Sequence, residues 1–273
     1  VLGIIVIVIM AICVFSIVEI NPPTQSAGKS SLVKDISSLV KNKYYIMFLG
    51  EVFFLFLGYL SMYGAMQYYY TYIVGDVSGM SLALTLLTLL AIPTMILAAY
   101  LNGKGIAKIK LIQFGAIVDI IGYAILFFTS DGTIATAALG LIGLGFGFRS
   151  SMFFSMMPDI FDYTEWQVGR NLGGTQNAIQ GFVNKVSSAA ASAIVSALLV
   201  WGNYDASKLD KAIADGVDIA TKYPQTHTAI NFAFGGLALV STVMAVVVLL
   251  PYDLDKKYPQ IRADLDKRHK ENA

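Results

Sequence analysis

Seven long apolar runs, separated by short polar stretches, constrain this chain more than any other feature. They cover roughly residues 1–20, 45–68, 80–101, 111–129, 134–156, 174–201 and 229–250. Each is close to the ~17–25 residues that carry a helix across ~30 Å of hydrocarbon at ~1.5 Å per residue. None alternates with the period of two that a barrel strand needs. In lipid, every backbone N–H and C=O must be satisfied within the protein, so the runs predict membrane-spanning helices. Composition closes the alternative. With 56% hydrophobic and 14% charged residues, the chain holds more apolar surface than a soluble fold of this size can cover. Run 1–20 has neither the basic start nor the small-residue cleavage site of a signal peptide. The chain opens on Val1, inside an apolar run and without an initiator Met. It is read as the later part of a longer protein.

Seven spans put the two ends on opposite sides, and lysine and arginine decide which is which. One set of connections holds Lys29, Lys34, Lys41 and Lys43, then Lys104, Lys108 and Lys110, then Arg170, then six basic residues of the tail. The other set holds only Lys208, Lys211 and Lys222. The bias predicts a cytoplasmic tail and an outer Val1. A net charge of +1, with no basic stripe, argues against nucleic acid as a partner. Cys13 stands alone, which excludes an intrachain disulfide or a cysteine-based metal cluster.

Two connections are long. Stretch 21–44 opens on Asn21-Pro22-Pro23, a helix stop. Its Leu32, Val33, Ile36, Leu39 and Val40 are then spaced as in a short amphipathic helix on the membrane surface, with a solvated linker as the alternative. Stretch 202–228 mixes aspartates with lysines and reads as a soluble loop with one or two helical turns.

Charges inside the runs are functional candidates, since each costs ~2.5–3.5 kcal/mol on insertion scales. Lys185 lies about 11 residues into its run, ~16 Å deep by helix rise. Asn177, Gln180, Asn184 and Ser188 fall at helical spacings around it and make one polar face. A cavity-lining role is expected, with a structural ion pair as the alternative. Asp119, Arg149 and Glu51 lie at similar depth. Pairing of Asp119 with Arg149 is one expectation; the other is that Glu51 and Arg149 reach water on their own.

Three features invite over-reading. Gly143, Gly145 and Gly147 mimic part of a nucleotide loop but sit inside an apolar run, which points to close helix packing. His227 and His269 lack the helical partner of a zinc-protease motif. Tyr63, Tyr68, Tyr69, Tyr70 and Tyr72 cluster at the end of a run. They suit an interfacial belt, or, more pointedly, stacking against a sugar.

The connection after the fifth span reads Met157-Pro158-Asp159-Ile160-Phe161-Asp162-Tyr163-Thr164-Glu165-Trp166-Gln167-Val168-Gly169. It resembles the M-x-D-x-x-D-Y-G-E-W-K-T-G signature of the glycoside–pentoside–hexuronide:cation symporters, the melibiose-permease-like branch of the major facilitator superfamily. Lys185 falls where that family often has an intramembrane lysine. Lys41-Asn42-Lys43 and Gly103-Lys104-Gly105 match its entry to helix seven and its loop between helices eight and nine. Thr164 replaces the family glycine, Asn171 its arginine (Arg170 stands one place earlier), and Gly173 its glutamate.

The resemblance implies an all-α polytopic protein of the major facilitator fold. Residues 1–20 become the last helix of an N-terminal bundle, 21–44 a cytoplasmic inter-bundle loop, 45–250 the C-terminal six-helix bundle, and 251–273 a cytoplasmic tail. It implies symport of a sugar or glycoside with Na⁺ or H⁺ across the plasma (inner) membrane, by two bundles rocking about a midplane site. No other cofactor is called for. The coupling cation is expected mainly in the missing N-terminal bundle, the chain's partner, with the lipid bilayer around both. This half would supply one wall of the sugar cavity from Lys185, Gln180, Asn184 and Asn177, with Tyr63 and Tyr68. Asp159, Asp162, Glu165 and Arg170 would form a cytoplasmic gate. A lysolipid-type carrier of the same fold and a non-transporting membrane subunit are the alternatives. No paired catalytic motif supports an enzyme.

Overall fold

Leu, Ile, Val, Ala and Phe dominate the long runs, where the cheapest way to satisfy the backbone is the i to i−4 bond of a helix. The computed structural model describes residues 2–16 and 32–271. Twelve helices follow in order among the described residues: α1 (Leu2–Ser16), α2 (Leu32–Lys41), α3 (Lys43–Tyr68), α4 (Ser78–Gly103), α5 (Lys108–Phe128), α6 (Gly132–Val168), α7 (Gly173–Trp201), α8 (Ala206–Ala214), α9 (Ile219–Lys222), α10 (Pro224–Asn231), α11 (Leu237–Leu249) and α12 (Leu254–Glu271). Short π-helical segments, Tyr69–Val74 and Phe232–Gly236, extend α3 and join α10 to α11. Six stretches are long and apolar enough to cross a membrane: Lys43–Val74, α4, α5, α6, α7 and Pro224–Leu249. The first run is described only through α1. The Asn21-Pro22-Pro23 stop lies outside the described residues.

Helix α6 is the axis of the bundle, packed between α4 and α5, while α3 packs against α7 and α11. Glycines set the distances. A Cβ on Gly143 would stand 2.3 Å from the Leu87 carbonyl oxygen, and one on Gly147 1.9 Å from Thr94 Oγ1, both on α4. One on Gly145 would stand 2.5 Å from the Gly115 carbonyl oxygen on α5. Two faces of one helix therefore let two neighbours approach to backbone contact. The glycine triplet is a packing device.

Four features depart from the sequence expectations. First, α6 does not end with its apolar run near residue 156. Asp131 caps its start, accepting from the backbone N–H of Thr133 and Ile134 at 2.8 and 2.9 Å. The helix then runs 37 residues to Gly169, whose φ of 77° ends it. That is about 55 Å of helix, so about 25 Å projects beyond the hydrocarbon. The signature residues are on this projection and not in a loop. Second, Tyr69, Tyr70 and Tyr72 are not a lipid-facing belt. They are buried, with Tyr69 stacked on Phe234 at 4.4 Å where the two π-helical segments meet. Third, 202–228 has the expected helical turns but is more than a solvated loop. Helices α8 and α9 turn Leu209, Ala212 and Ile219 inward over the same core. Fourth, the tail is a helix docked by Leu254, Ile261 and Leu265. In α2, Leu39 is buried while Val33, Ile36 and Val40 are exposed, as an interfacial helix requires.

Candidate functional site

Three charged side chains from three helices meet inside the bundle. Arg149 of α6 donates through Nη2 to Glu51 Oε1 on α3 at 2.8 Å, and through Nη1 to Asp119 Oδ2 on α5 at 3.0 Å. None is more than 3% exposed. Neither Glu51 nor Arg149 reaches water on its own. The glycines make room for the cluster: a Cβ on Gly145 would fall 2.2 Å from Asp119 Oδ1, and one on Gly115 3.0 Å from Arg149 Cγ.

The polar face of α7 is arranged differently. Gln176, Ser187, Ala191 and Val195 are buried. Asn177 and Lys185 are exposed, and Gln180, Asn184 and Ser188 are half-exposed. Lys185 makes no ion pair among the described residues. Tyr63 and Tyr68 are half-buried. Tyr63 takes a 3.0 Å hydrogen bond from Tyr59, and Tyr68 stands edge-on to Tyr204 at 5.3 Å. Among the described residues, neither tyrosine bonds to the polar row of α7.

At the tail end, each of the four signature charges has a partner within this chain. Asp159 accepts from Lys108 at 2.6 Å. Asp162 accepts from Tyr258 and Arg262 of α12 at 2.7 and 3.0 Å. Glu165 meets His269 of α12 at 2.7 Å. Arg170 pairs with Asp35 of α2. The tail also caps α5, whose start lacks a side-chain cap of its own: Ile109 N–H donates to Asp255 at 2.9 Å. Asp253 accepts from Lys257 at 2.7 Å and from Tyr44, and these bonds hold its carboxyl well below the usual carboxylate range. Thr164, where the signature has glycine, is a junction. Its Oγ1 accepts from Asn42 at 2.8 Å and Gln176 at 2.9 Å and donates to the Ile160 carbonyl. Asn42 meanwhile caps α3 by accepting from the N–H groups of Tyr44 and Tyr45.

The family model for MFS/sugar transport proteins matches residues 1–256. The chain belongs to this family. Its members are membrane transporters, not enzymes, and the helices described above are those of an all-α, multi-pass protein of the major facilitator type. The chain is 26% identical to an isoprimeverose transporter of Lactiplantibacillus pentosus, over 97% of this chain and 54% of the relative. It is 27% identical to the inner membrane symporter YicJ of Escherichia coli K12, over 94% of this chain and 52% of the relative. A glucuronide carrier protein homolog of the same bacterium is 23% identical over 60% of this chain. The chain spans about half the length of the first two.

Sequence reasoning missed the partners on α12, Lys108, Asp35 and Thr164. One signal was present. Leu254, Tyr258, Ile261 and Leu265 recur at helical spacing and mark α12 as a helix with a face to bury. At the far end, a cavity of about 210 Å³ is lined in part by Tyr72, Ser130, Asp218 and His227. Ser130 Oγ lies 3.0 Å from His227 Nε2. Asp218 instead caps α9 through the N–H groups of Ala220 and Thr221, so no Ser-His-Asp relay is assembled.

Proposed function

We propose that this chain is one half of a cation-coupled sugar or glycoside symporter working by alternating access, and that α7 forms the wall of its sugar cavity. The observation that carries this reading is the polar row of α7. Asn177 and Lys185 are exposed, and Gln180 and Asn184 half-exposed, on a helix long and apolar enough to cross the membrane. Lipid cannot satisfy these groups, so a second bundle and an aqueous cavity are their natural surroundings. Amides and an ammonium suit the hydroxyl-rich face of a sugar. The sugar-named relatives support the substrate class.

In this reading the helix containing 1–20 ends the first bundle and 21–44 connects the two. The basic connections put α2 and α12 on the cytoplasmic side of the inner membrane. The coupling ion is Na⁺ or H⁺, bound mainly by the other bundle. Asp159, Asp162, Glu165 and Arg170 act at the cytoplasmic gate by holding α12 and α2 against α6, so that the other bundle closes on a composite surface.

The test is uptake by the full-length protein in proteoliposomes, screened over labelled glycosides under Na⁺ or H⁺ gradients. Lys185→Ala should abolish or strongly reduce uptake while insertion is unchanged. Uptake at the wild-type rate would remove Lys185 from the cavity. Asp162→Asn with Glu165→Gln should change exchange rates more than affinity; a change in affinity alone would contradict the gate.

A further inference from the structure

The Glu51–Arg149–Asp119 cluster cannot balance its charge from within. Two carboxylates meet one guanidinium, which leaves a net −1 when all three are ionised. Each carboxylate spends one oxygen on Arg149. Among the described residues, the other oxygens, Glu51 Oε2 and Asp119 Oδ1, are buried without a donor, and Arg149 Nε is buried without an acceptor. Buried ions carry an effective penalty of several kcal/mol each, recovered only when charge and hydrogen bonds are both satisfied. Here neither condition is met.

A proton corrects the first fault. It cancels the excess charge and turns one lone acceptor into a donor. It also needs no volume, and the packing offers little. Asp119 Oδ1 lies against the backbone of Gly145, 2.2 Å from where a Cβ would stand, with the Gly115 carbonyl oxygen 2.5 Å from the same point. A metal ion would need that space and several further oxygen ligands.

The groups around the cluster do not neutralise it. Tyr123, one turn along α5 from Asp119, interacts electrostatically with Asp119 and Arg149 and with Tyr59 and Tyr63 on α3. Helix α4 turns Thr94 toward α6, and α11 meets α3 at Gly50 through Val248. Helix α7, packed against α3, buries Gln176 and Ser187 and leaves Lys185 exposed. Arg149 is the one cation in the cluster.

We propose that the Glu51–Arg149–Asp119 triad is a proton-binding site, which takes one proton from water onto a carboxylate oxygen. One O–H bond forms on the carboxylate as one O–H bond of a hydronium ion breaks and water leaves, no bond within the protein breaks, and the cluster moves from −1 to zero. Protonation of either carboxylate weakens its hold on Arg149. Because the three residues sit on α3, α5 and α6, the proton regulates how those helices are tied together.

Protonation can be read without substrate, so this test is independent of the transport reading. The full-length protein in lipid nanodiscs is titrated from about pH 9 to about pH 5, where buried carboxylates can change state, and followed by infrared difference spectroscopy. A carboxylic-acid C=O band should grow as the pH falls. It should be lost in both Glu51→Gln and Asp119→Asn. No band, or a band that persists in both variants, overturns the proposal. Should the variants fail to fold, Glu51→Asp and Asp119→Glu, which keep the carboxyl group, replace them. One of the two must shift the band, and a band that neither moves overturns the proposal. Sodium in place of choline, at constant ionic strength, should leave the band in place; its abolition by sodium would make the triad a metal site and sink the proton assignment.

Discussion

Gly145 has no room for a methyl group, because Asp119 Oδ1 and the Gly115 carbonyl already occupy the space. Gly181, on α7, has nothing within 4 Å of its Cβ position. The same substitution should therefore act oppositely at the two sites. Gly145→Ala should lower stability by about 1–3 kcal/mol, the range for overpacking. Gly181→Ala, on the row of α7 that holds Asn177 and Lys185, should be neutral or stabilising by up to about 1 kcal/mol, the helix-propensity difference, when measured on this chain by itself. Thermal unfolding in detergent measures both, and equal losses would mean that the α5–α6 approach is not as close as described. Arg149→Met should cost about 3–5 kcal/mol by leaving two carboxylates buried without their cation. These residues were visible in the sequence as charges and glycines inside apolar runs. Which charge met which was not, since Glu51 and Arg149 are 98 positions apart.

At the scale of elements, α6 and α12 explain each other. The projection of α6 carries Asp162, Glu165 and Trp166, and α12 answers with Arg262, His269 and Asp264, the last accepting from Trp166 Nε1 at 3.2 Å. The beginning of the tail is held through Asp253. Its depressed carboxyl pKa means that the docked state favours the charged form. That contribution is complete above the ordinary carboxylate pKa of about 4 and fades only as the pH falls below it. Limited proteolysis after Leu249 should thus be unchanged from neutral pH to about pH 5 and accelerate only below about pH 4. Asp253→Asn should remove that acid-dependent step, and acceleration already in mild acid would point to another group. The extent of α6 was hidden because hydropathy marks where a helix leaves the lipid rather than where it stops. Pro158 lies inside the helix.

Across the whole molecule, the fold separates two ends. One gathers Tyr69, Tyr70, Tyr72 and Phe234 beneath α8 and α9. The other gathers Tyr44, Tyr45, Phe48 and Ile160 with α12. The proposed orientation puts the second in the cytoplasm, and labelling tests it. With Cys13 replaced by serine, an impermeant maleimide applied to intact cells should label Lys211→Cys, and should label Lys270→Cys only after permeabilisation. The reverse pattern would invert the topology. Spans α4 and α7 are the least covered by this bundle, so a partner bundle should protect them. Hydrogen exchange of the full-length protein should find their exposed faces shielded.

Fold class was legible in the sequence because it follows from a local rule. Some twenty apolar residues in a row can satisfy their backbone in lipid only as a helix. The same rule exposed Lys185 and the buried charges, since a charge among apolar neighbours is costly wherever the chain folds. Partnership is different in kind. The meeting of Glu51, Arg149 and Asp119, the burial of the tyrosines that looked like a belt, the junction at Thr164 and the docking of the tail all join positions far apart in the chain. Each depends on how closely glycines let helices approach and on where each helix ends. Only the tertiary structure, through packing, decides those distances.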